Sequence, residues 1–258
     1  MLLTSTKDLP AFPNKIISLV PSQTELLHYL GLQNEVIGIT KFCVHPAEWF
    51  KNKIKIGGTK NVNIQKVQQL KPDLIIGNKE ENVKEQVVAL ANEFSVWVTD
   101  INKLEEAFVM IKNIGELTNK VDQAHALIAN IRNEFLKLRV RAYSVKACYI
   151  IWRNPYMTIG GDTFISDIMK HCRFQNIFED KYRYPEITLQ EIKDRDCQVV
   201  LLSSEPYPFK KNHINEIQAH LPGVKIVLTD GEMFSWYGSR LLLAPDYFNS
   251  LLKSLSFK

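Results

Sequence analysis

Most signatures of catalysis are missing from this 258-residue chain. It has no G-x-S-x-G elbow, no G-x-x-x-x-G-K phosphate loop and no G-x-G-x-x-G after the first apolar run, which removes the commonest hydrolase, triphosphatase and dinucleotide-binding readings. Cysteine is scarce: Cys43, Cys148, Cys172 and Cys197 are scattered and form no C-x-x-C pair. A disulfide framework is therefore not indicated, and reduced thiols are expected. No apolar run approaches the length needed to cross a bilayer, so any membrane contact is peripheral. Thirty-two Lys and Arg against 28 Asp and Glu leave a formal charge of +4, and the cations are dispersed. Without an arginine-rich block interleaved with aromatics, nucleic acid is not an expected partner. Met1-Leu2-Leu3 is followed at once by Thr4, Ser5, Thr6, Lys7 and Asp8, too short for a signal-peptide core. On that reading the chain stays in the cytoplasm, or its export signal lies outside this sequence.

What is present is an α/β grammar organised around a long helical stretch, Leu104 to Tyr143, with no linker character. After a break at Thr118-Asn119, apolar residues recur at Val121, Ala124, Ile128, Ile131, Phe135, Leu138 and Ala142, which makes one apolar stripe. Asn119 reads as an N-cap with Asp122 three residues on, and Lys137, Arg139 and Arg141 suit the other pole of the helix dipole. Continuous helix from Lys120 to Tyr143 would span roughly 35 Å. Either it is a strut between two lobes, or it is a crossover helix within one sheet.

On both sides of it, short β-branched runs alternate with helices. Ile16–Val20, Val36–Ile39, Leu74–Gly77, Val96–Val98, Ala147–Ile151, Val199–Leu202 and Ile226–Leu228 read as strands. Pro21 ends the first, Ser22 and Glu25 form a capping box for the next helix, and Ser239–Lys253 reads as the closing helix. Two segments correspond across the halves: 64–76 and 189–202 each run helix, polar turn with an aspartate, buried strand. The expectation is two Rossmann-like lobes with mostly parallel sheets, joined by one long backbone helix. The implied boundaries are 1–118, 119–143 and 144–258.

Ligands of open α/β sheets collect beyond the carboxyl ends of the strands. The loops there are rich in rings: Phe42, His45 and Trp49 in the first half, Trp152, Tyr156, Trp236 and Tyr237 in the second. Large rings supply contact area at small entropic cost, although each one also suits core packing. Glutamates answer one another: Glu80, Glu81 and Glu85 follow one strand, and Glu205, beside Pro206, follows another. Cys43 and His45 offer a thiol and an imidazole on one loop, suited to iron or to the cobalt of a corrinoid, or else to a structural role. The other five histidines lie on or near helices, away from that loop, so a bare divalent-metal site is disfavoured. Gly160-Gly161-Asp162 precedes a helix and reads as an anion site at its N-terminus or as a capped turn.

Ile17-Ser18-Leu19-Val20-Pro21-Ser22-Gln23-Thr24-Glu25-Leu26, Leu70-Lys71-Pro72-Asp73-Leu74-Ile75, Asn176-Ile177-Phe178 and the central helix together resemble the helical-backbone class of ABC-importer substrate-binding proteins. The resemblance runs from about Lys15 to Leu252. Ser235-Trp236-Tyr237-Gly238-Ser239-Arg240 looks most like the cobalamin-binding branch. The resemblance implies a non-enzymatic monomer that holds its cargo in a cleft between two lobes, with no intrinsic cofactor. The cargo would be a metal-containing tetrapyrrole or an iron chelate: a corrinoid, with a ferric siderophore or haem as alternatives. Ligand contacts would fall on Phe42, His45, Trp49, Lys60, Trp152, Tyr156, Trp236, Tyr237 and Arg240. One glutamate per lobe would dock on a permease dimer: Glu205 in the second, and Glu80, Glu81 or Glu85 in the first. An extracytoplasmic address follows from the class, against the missing export signal. The rival from another class is a cytoplasmic enzyme or sensor that keeps the two-lobe fold.

Overall fold

The computed structural model describes residues 1–255. The chain divides into two compact units, one made of Met1–Ile101, Glu105–Asn133 and Trp236–Leu242, the other of Asn102–Leu104, Glu134–Ser235 and the residues from Leu243.

In unit 1, strands β1 (Ile16–Ser18), β2 (Val36–Ile39), β3 (Ile54–Lys55), β4 (Leu74–Asn78) and β5 (Val96–Thr99) form a sheet in the order β3-β2-β1-β4-β5. Every neighbouring pair is parallel. Parallel strands need crossovers, and helices α1 (Pro21–Tyr29), α2 (Ala47–Asn52), α3 (Ile64–Leu70) and α4 (Lys84–Ala91) supply them. Ile17, Leu19, Ile75, Val67 and Leu90 close one core over the sheet, each almost completely buried. Removing that much apolar surface from water is what holds such a layered unit together. Pro21 does not merely end β1. It is the first residue of α1, where its missing N–H costs nothing, and Val20 is the cap, so the Ser22–Glu25 capping box does not form.

Helix α5 (Leu104–Leu117) is followed by α6 (Val121–Phe135). The break lies where the sequence places it, but Asn119 is not an N-cap. Its φ of 57° is left-handed, and Lys120 N–H bonds back to the Gly115 carbonyl at 2.8 Å, which closes the end of α5. Gly115 is required there, because a Cβ would come within 2.5 Å of the Ala124 Cβ on α6. Helix α6 stops at Phe135, eight residues short of the expected Tyr143, and spans about 22 Å.

In unit 2, strands β6 (Val145–Trp152), β7 (Tyr156–Thr158), β8 (Phe174–Asn176), β9 (Glu186–Ile187), β10 (Val199–Ser203) and β11 (Lys225–Thr229) form a mixed sheet, β11-β10-β6-β7-β9, with β8 paired to the start of β6. The antiparallel hairpin β6–β7 and strand β9 are absent from the sequence reading. The helices are α7 (Phe164–His171), α8 (Leu189–Asp194), α9 (Lys211–His220), α10 (Gly231–Ser235) and α11 (Ala244–Ser254). Ser239–Leu242 is a separate 3-10 turn rather than the start of the closing helix, since Pro245 sets a new first turn for α11. Phe178, Ile150, Val200, Leu202 and Ile217 form the core. The two corresponding segments fold alike. Asn63 and Thr188 cap α3 and α8 through their side chains, Lys71 and Asp196 take left-handed φ in the turns, and β4 and β10 are fully buried. The expected two α/β lobes with mostly parallel sheets are thus present.

Candidate ligand-binding site

Unit 1 gathers rings behind β2 and on the returning segment Trp236–Leu242. Phe42 is half exposed, with Lys41 Nζ 5.2 Å from its centroid. The His45 ring meets Trp236 edge-on at 5.6 Å between centroids. Trp236 also carries the Arg240 guanidinium 5.0 Å from its ring centre. Arg240 in turn grips Glu25 with both forks, Nη2 to Oε1 at 2.7 Å and Nε to Oε2 at 3.0 Å. Glu25, read from sequence as a helix cap, is instead the counter-charge of this arginine. Such a bidentate pair fixes both position and plane, so Arg240 is held as a flat support for the indole. Tyr237 is buried beside it, and burial pushes its phenol upward, with the Glu81 charge adding to the effect.

Two expectations for this unit change, those for Trp49 and Cys43. Trp49 is only 2% exposed; it packs edge-on to His28 at 5.2 Å and lies under Lys53, so it offers no face to a ligand. Cys43 is fully buried, its sulfur 3.1 Å from Thr24 Oγ1 and 3.2 Å from Thr40 Oγ1, and burial pushes the thiol up. A buried, protonated thiol bonded to two hydroxyls is a poor metal ligand. Among the described residues no group of three or more His, Cys, Asp and Glu could hold a metal ion. Lys60 is exposed, and its Nζ donates to the Glu80 carbonyl.

In unit 2, Trp152 ends β6, is 40% exposed and lies edge-on to Tyr207 at 5.7 Å. Arg153 pairs with Glu216 of α9, Nη2 to Oε2 at 2.7 Å, and Tyr156 donates its hydroxyl to the other oxygen at 2.9 Å. These bonds, the Arg153 fork first, hold the Glu216 carboxyl below the usual glutamate range. Burial, and then Glu216, raises Tyr156. Sequence reasoning missed Tyr207 and Glu216. Tyr207 was legible as the ring between two prolines, whereas nothing marks Glu216 among other helical glutamates. Gly160 and Gly161 are packing positions: a Cβ would meet the Lys181 carbonyl at 2.4 Å and the Glu179 carbonyl at 2.2 Å. Thr163 caps α7 and Asp162 accepts from Arg183 N at 2.7 Å, so this is a capped turn and not an anion site.

The glutamates sort by burial and by correspondence. Glu85 is exposed in the first turn of α4. Glu81 is half buried, and burial first, then neighbouring Glu80, push its carboxyl up while Lys60 pulls it down. Glu80 follows β4 by two residues, and its N–H bonds Asn78 Oδ1 at 2.8 Å. Glu205 follows β10 by two residues, and its N–H bonds Ser203 Oγ at 3.3 Å. The same bond, from the glutamate N–H to the side chain two residues back, holds both. Glu205 is further oriented by the Ser235 hydroxyl, 2.8 Å from Oε1, and Gly231 leaves room for it, since a Cβ there would lie 2.6 Å from Glu205 Cγ.

Comparison with known proteins supplies the class. The family described as periplasmic binding protein matches residues 16–226. A vitamin B12-binding protein of Pectobacterium carotovorum subsp. carotovorum (strain PC1) is 25% identical over 257 residues, covering 95% of this chain and 91% of the relative. The solved periplasmic vitamin B12 binding protein BtuF of Vibrio cholerae superposes with a TM-score of 0.76 at 18% identity, over 95% of this chain and 98% of that one. The periplasmic heme binding protein HutB of the same organism gives 0.79 at 18%, over 92% and 98%. At such identities the two structures speak for the fold alone. Among the described residues no helix is long and apolar enough to cross a membrane. With more than three quarters of its length matched, the chain belongs to the periplasmic binding protein family, as a substrate-binding transport protein and not an enzyme.

Proposed function

We propose that the protein captures a corrinoid of the cobalamin type outside the cytoplasm and delivers it to an ABC permease. The observation that carries the choice of cargo is a charge balance. An anionic ferric siderophore, or the propionates of haem, would call on the guanidiniums Arg153, Arg183 and Arg240. Each of these already faces a carboxylate: Glu216 at 2.7 Å, Asp162 at 3.3 Å and Glu25 at 2.7 Å. Recruiting Arg240 for an anion would strand the largely buried Glu25, and recruiting Arg153 or Arg183 would give up a bond already made. What the strand-end loops offer instead is ring surface: Phe42 and His45 in unit 1, and Trp152 and Tyr156 in unit 2, while Trp236 and Tyr237 are buried behind the first pair. That suits a large, flat ligand rimmed by neutral amides. The vitamin B12-binding relatives support the same reading.

Absorbance titration tests it. Cyanocobalamin is expected to bind with a shift of its visible bands, with a ferric siderophore and haemin at least tenfold weaker. Tighter binding of either of those two would sink the corrinoid reading while leaving the family untouched.

For docking, the matched positions two residues after β4 and β10 favour Glu80 and Glu205 as the pair that meets basic residues of the permease. Two equivalent contacts reinforce one another on a two-fold partner. Glu80→Lys and Glu205→Lys are each expected to lower ligand uptake through reconstituted permease by at least tenfold with ligand affinity unchanged. Loss in Glu85→Lys but not in Glu80→Lys would move the first contact to α4.

A further inference from the structure

From Leu136 to Tyr143 the sequence reads Leu-Lys-Leu-Arg-Val-Arg-Ala-Tyr: apolar and basic residues alternate strictly as far as Ala142, Tyr143 follows, and there is no acid. In the structure this segment is neither helix nor strand. It is laid along α11 and fastened there: Asn249 accepts from Arg139 N at 2.7 Å and donates to the Lys137 carbonyl at 3.2 Å, and Arg141 donates to the Leu252 carbonyl at 2.9 Å and to that of Leu255. The strip is thereby held against α11, Arg141 by its own side chain, while Leu136, Lys137, Arg139, Val140 and Tyr143 stay exposed. Leu136 is 84% exposed and Tyr143 53%, and Val140 and Leu243 are also exposed. Lys137, Arg139, Arg141 and Lys253 line an open groove of about 790 Å³ in which Asp246 is the one acid. Glu134 holds Lys137 at 2.6 Å, which leaves the face net positive by two, four cations against two carboxylates.

We infer that this face of unit 2 binds the surface of an anionic phospholipid bilayer. Protein partners are met by an apolar centre inside a polar rim. Here cations and large apolar side chains alternate along one ordered strip, so that rings and aliphatic groups can enter the headgroup layer while the cations stay with the phosphates. A soluble phosphate would use the cations alone and leave Leu136 and Tyr143 unexplained. The direction of the strands gives the contact a consequence. β6, β8, β10 and β11 are parallel, so the strip enters the sheet at its amino edge, while Glu205 and Asp230 leave it at the carboxyl edge. A protein resting on a bilayer by this strip keeps its Glu205 edge away from that bilayer. The contact is therefore a parked state, an alternative to permease docking in the same membrane. It does not depend on what the protein carries.

Co-sedimentation of the full chain with vesicles tests this. Vesicles of phosphatidylglycerol in phosphatidylcholine are expected to retain it at least tenfold better than phosphatidylcholine alone. Lys137→Glu with Arg139→Glu is expected to lower retention by about tenfold or more, from roughly a fivefold effect per surface cation. Leu136→Ser with Tyr143→Ser is expected to lower it several-fold with the cations intact. These four positions are exposed, and an unchanged melting temperature checks the fold. Equal retention on neutral vesicles, no retention on anionic ones, or full release by millimolar inorganic phosphate would overturn the proposal. So would serine variants that bind as well as the parent, because the apolar groups would then play no part.

Discussion

The two units solve the same problem, presenting rings at strand ends, with different amounts of internal support. In unit 1 the indole of Trp236 rests on Arg240, whose guanidinium is paired with Glu25 at side-chain exposures of only 9% and 20%. In unit 2 Arg153 and Glu216 form the same kind of bidentate pair, but at 26% and 39% exposure, and Trp152 is partly exposed beside Tyr207. Equal geometry does not mean equal worth. A pair removed from water is costly to break because the survivor is left as a buried charge, whereas water takes over the partner's role in a half-exposed one. Unit 1 thus has a rigid, prebuilt face and unit 2 an adaptable one.

The sharpest way to break that contrast is to make the same truncation in both units. Glu25→Ala is expected to lower stability by about 3–5 kcal/mol, seen in the urea midpoint at neutral pH. Glu216→Ala is expected to cost about 1 kcal/mol or less, in keeping with exposed pairs. Comparable losses would mean that burial does not distinguish the two faces.

A smaller effect has opposite signs in the two units. Glu81 of unit 1 keeps its proton to higher pH when folded than when unfolded, because burial disfavours its charge. Its contribution to stability is therefore lost as pH rises from the ordinary glutamate range through the raised value. Glu216 of unit 2 is held low by Arg153, so its contribution is present above the ordinary range and lost as pH falls through the depressed value. Relative to the parent, Glu81→Gln is expected to gain stability as pH rises across its window. Glu216→Gln is expected to be weaker at neutral pH and to converge with the parent in acid. Urea midpoints taken across pH read both signs, and parallel curves for the two variants would remove the distinction.

Much of this architecture can be read from residues alone, and the failures have physical causes. Buried parallel strands announce themselves as short runs such as Ile75-Ile76 and Val200-Leu201, and Asn63 and Thr188 cap their helices as their side chains require. The hairpin at β7 was hidden because Tyr156-Met157-Thr158 is short and follows a proline. The long helix was overdrawn because Leu138 and Ala142 happen to continue a period near 3.6. From Leu136 onward the dominant period is two, and Asn249, more than a hundred residues away, takes the backbone bonds that a helix would have used. The same blindness to distance explains Glu25. Locally it suits a capping box, and only the fold brings Arg240 to it across 215 positions. Trp49 shows the limit for rings, since a strand-end tryptophan looks alike whether it faces ligand or core.

That separation of 215 residues has a temporal side. The Trp236–Leu242 segment completes unit 1, although the chain on either side of it belongs to unit 2. A ribosome working from the amino end has therefore made nearly all of the second unit before it releases the last part of the first. Until then Glu25 waits without its cation and the niche around α1 lacks its tryptophan. A stop codon just ahead of Trp236 would injure the amino-terminal half of the molecule at least as surely as the half in which it falls.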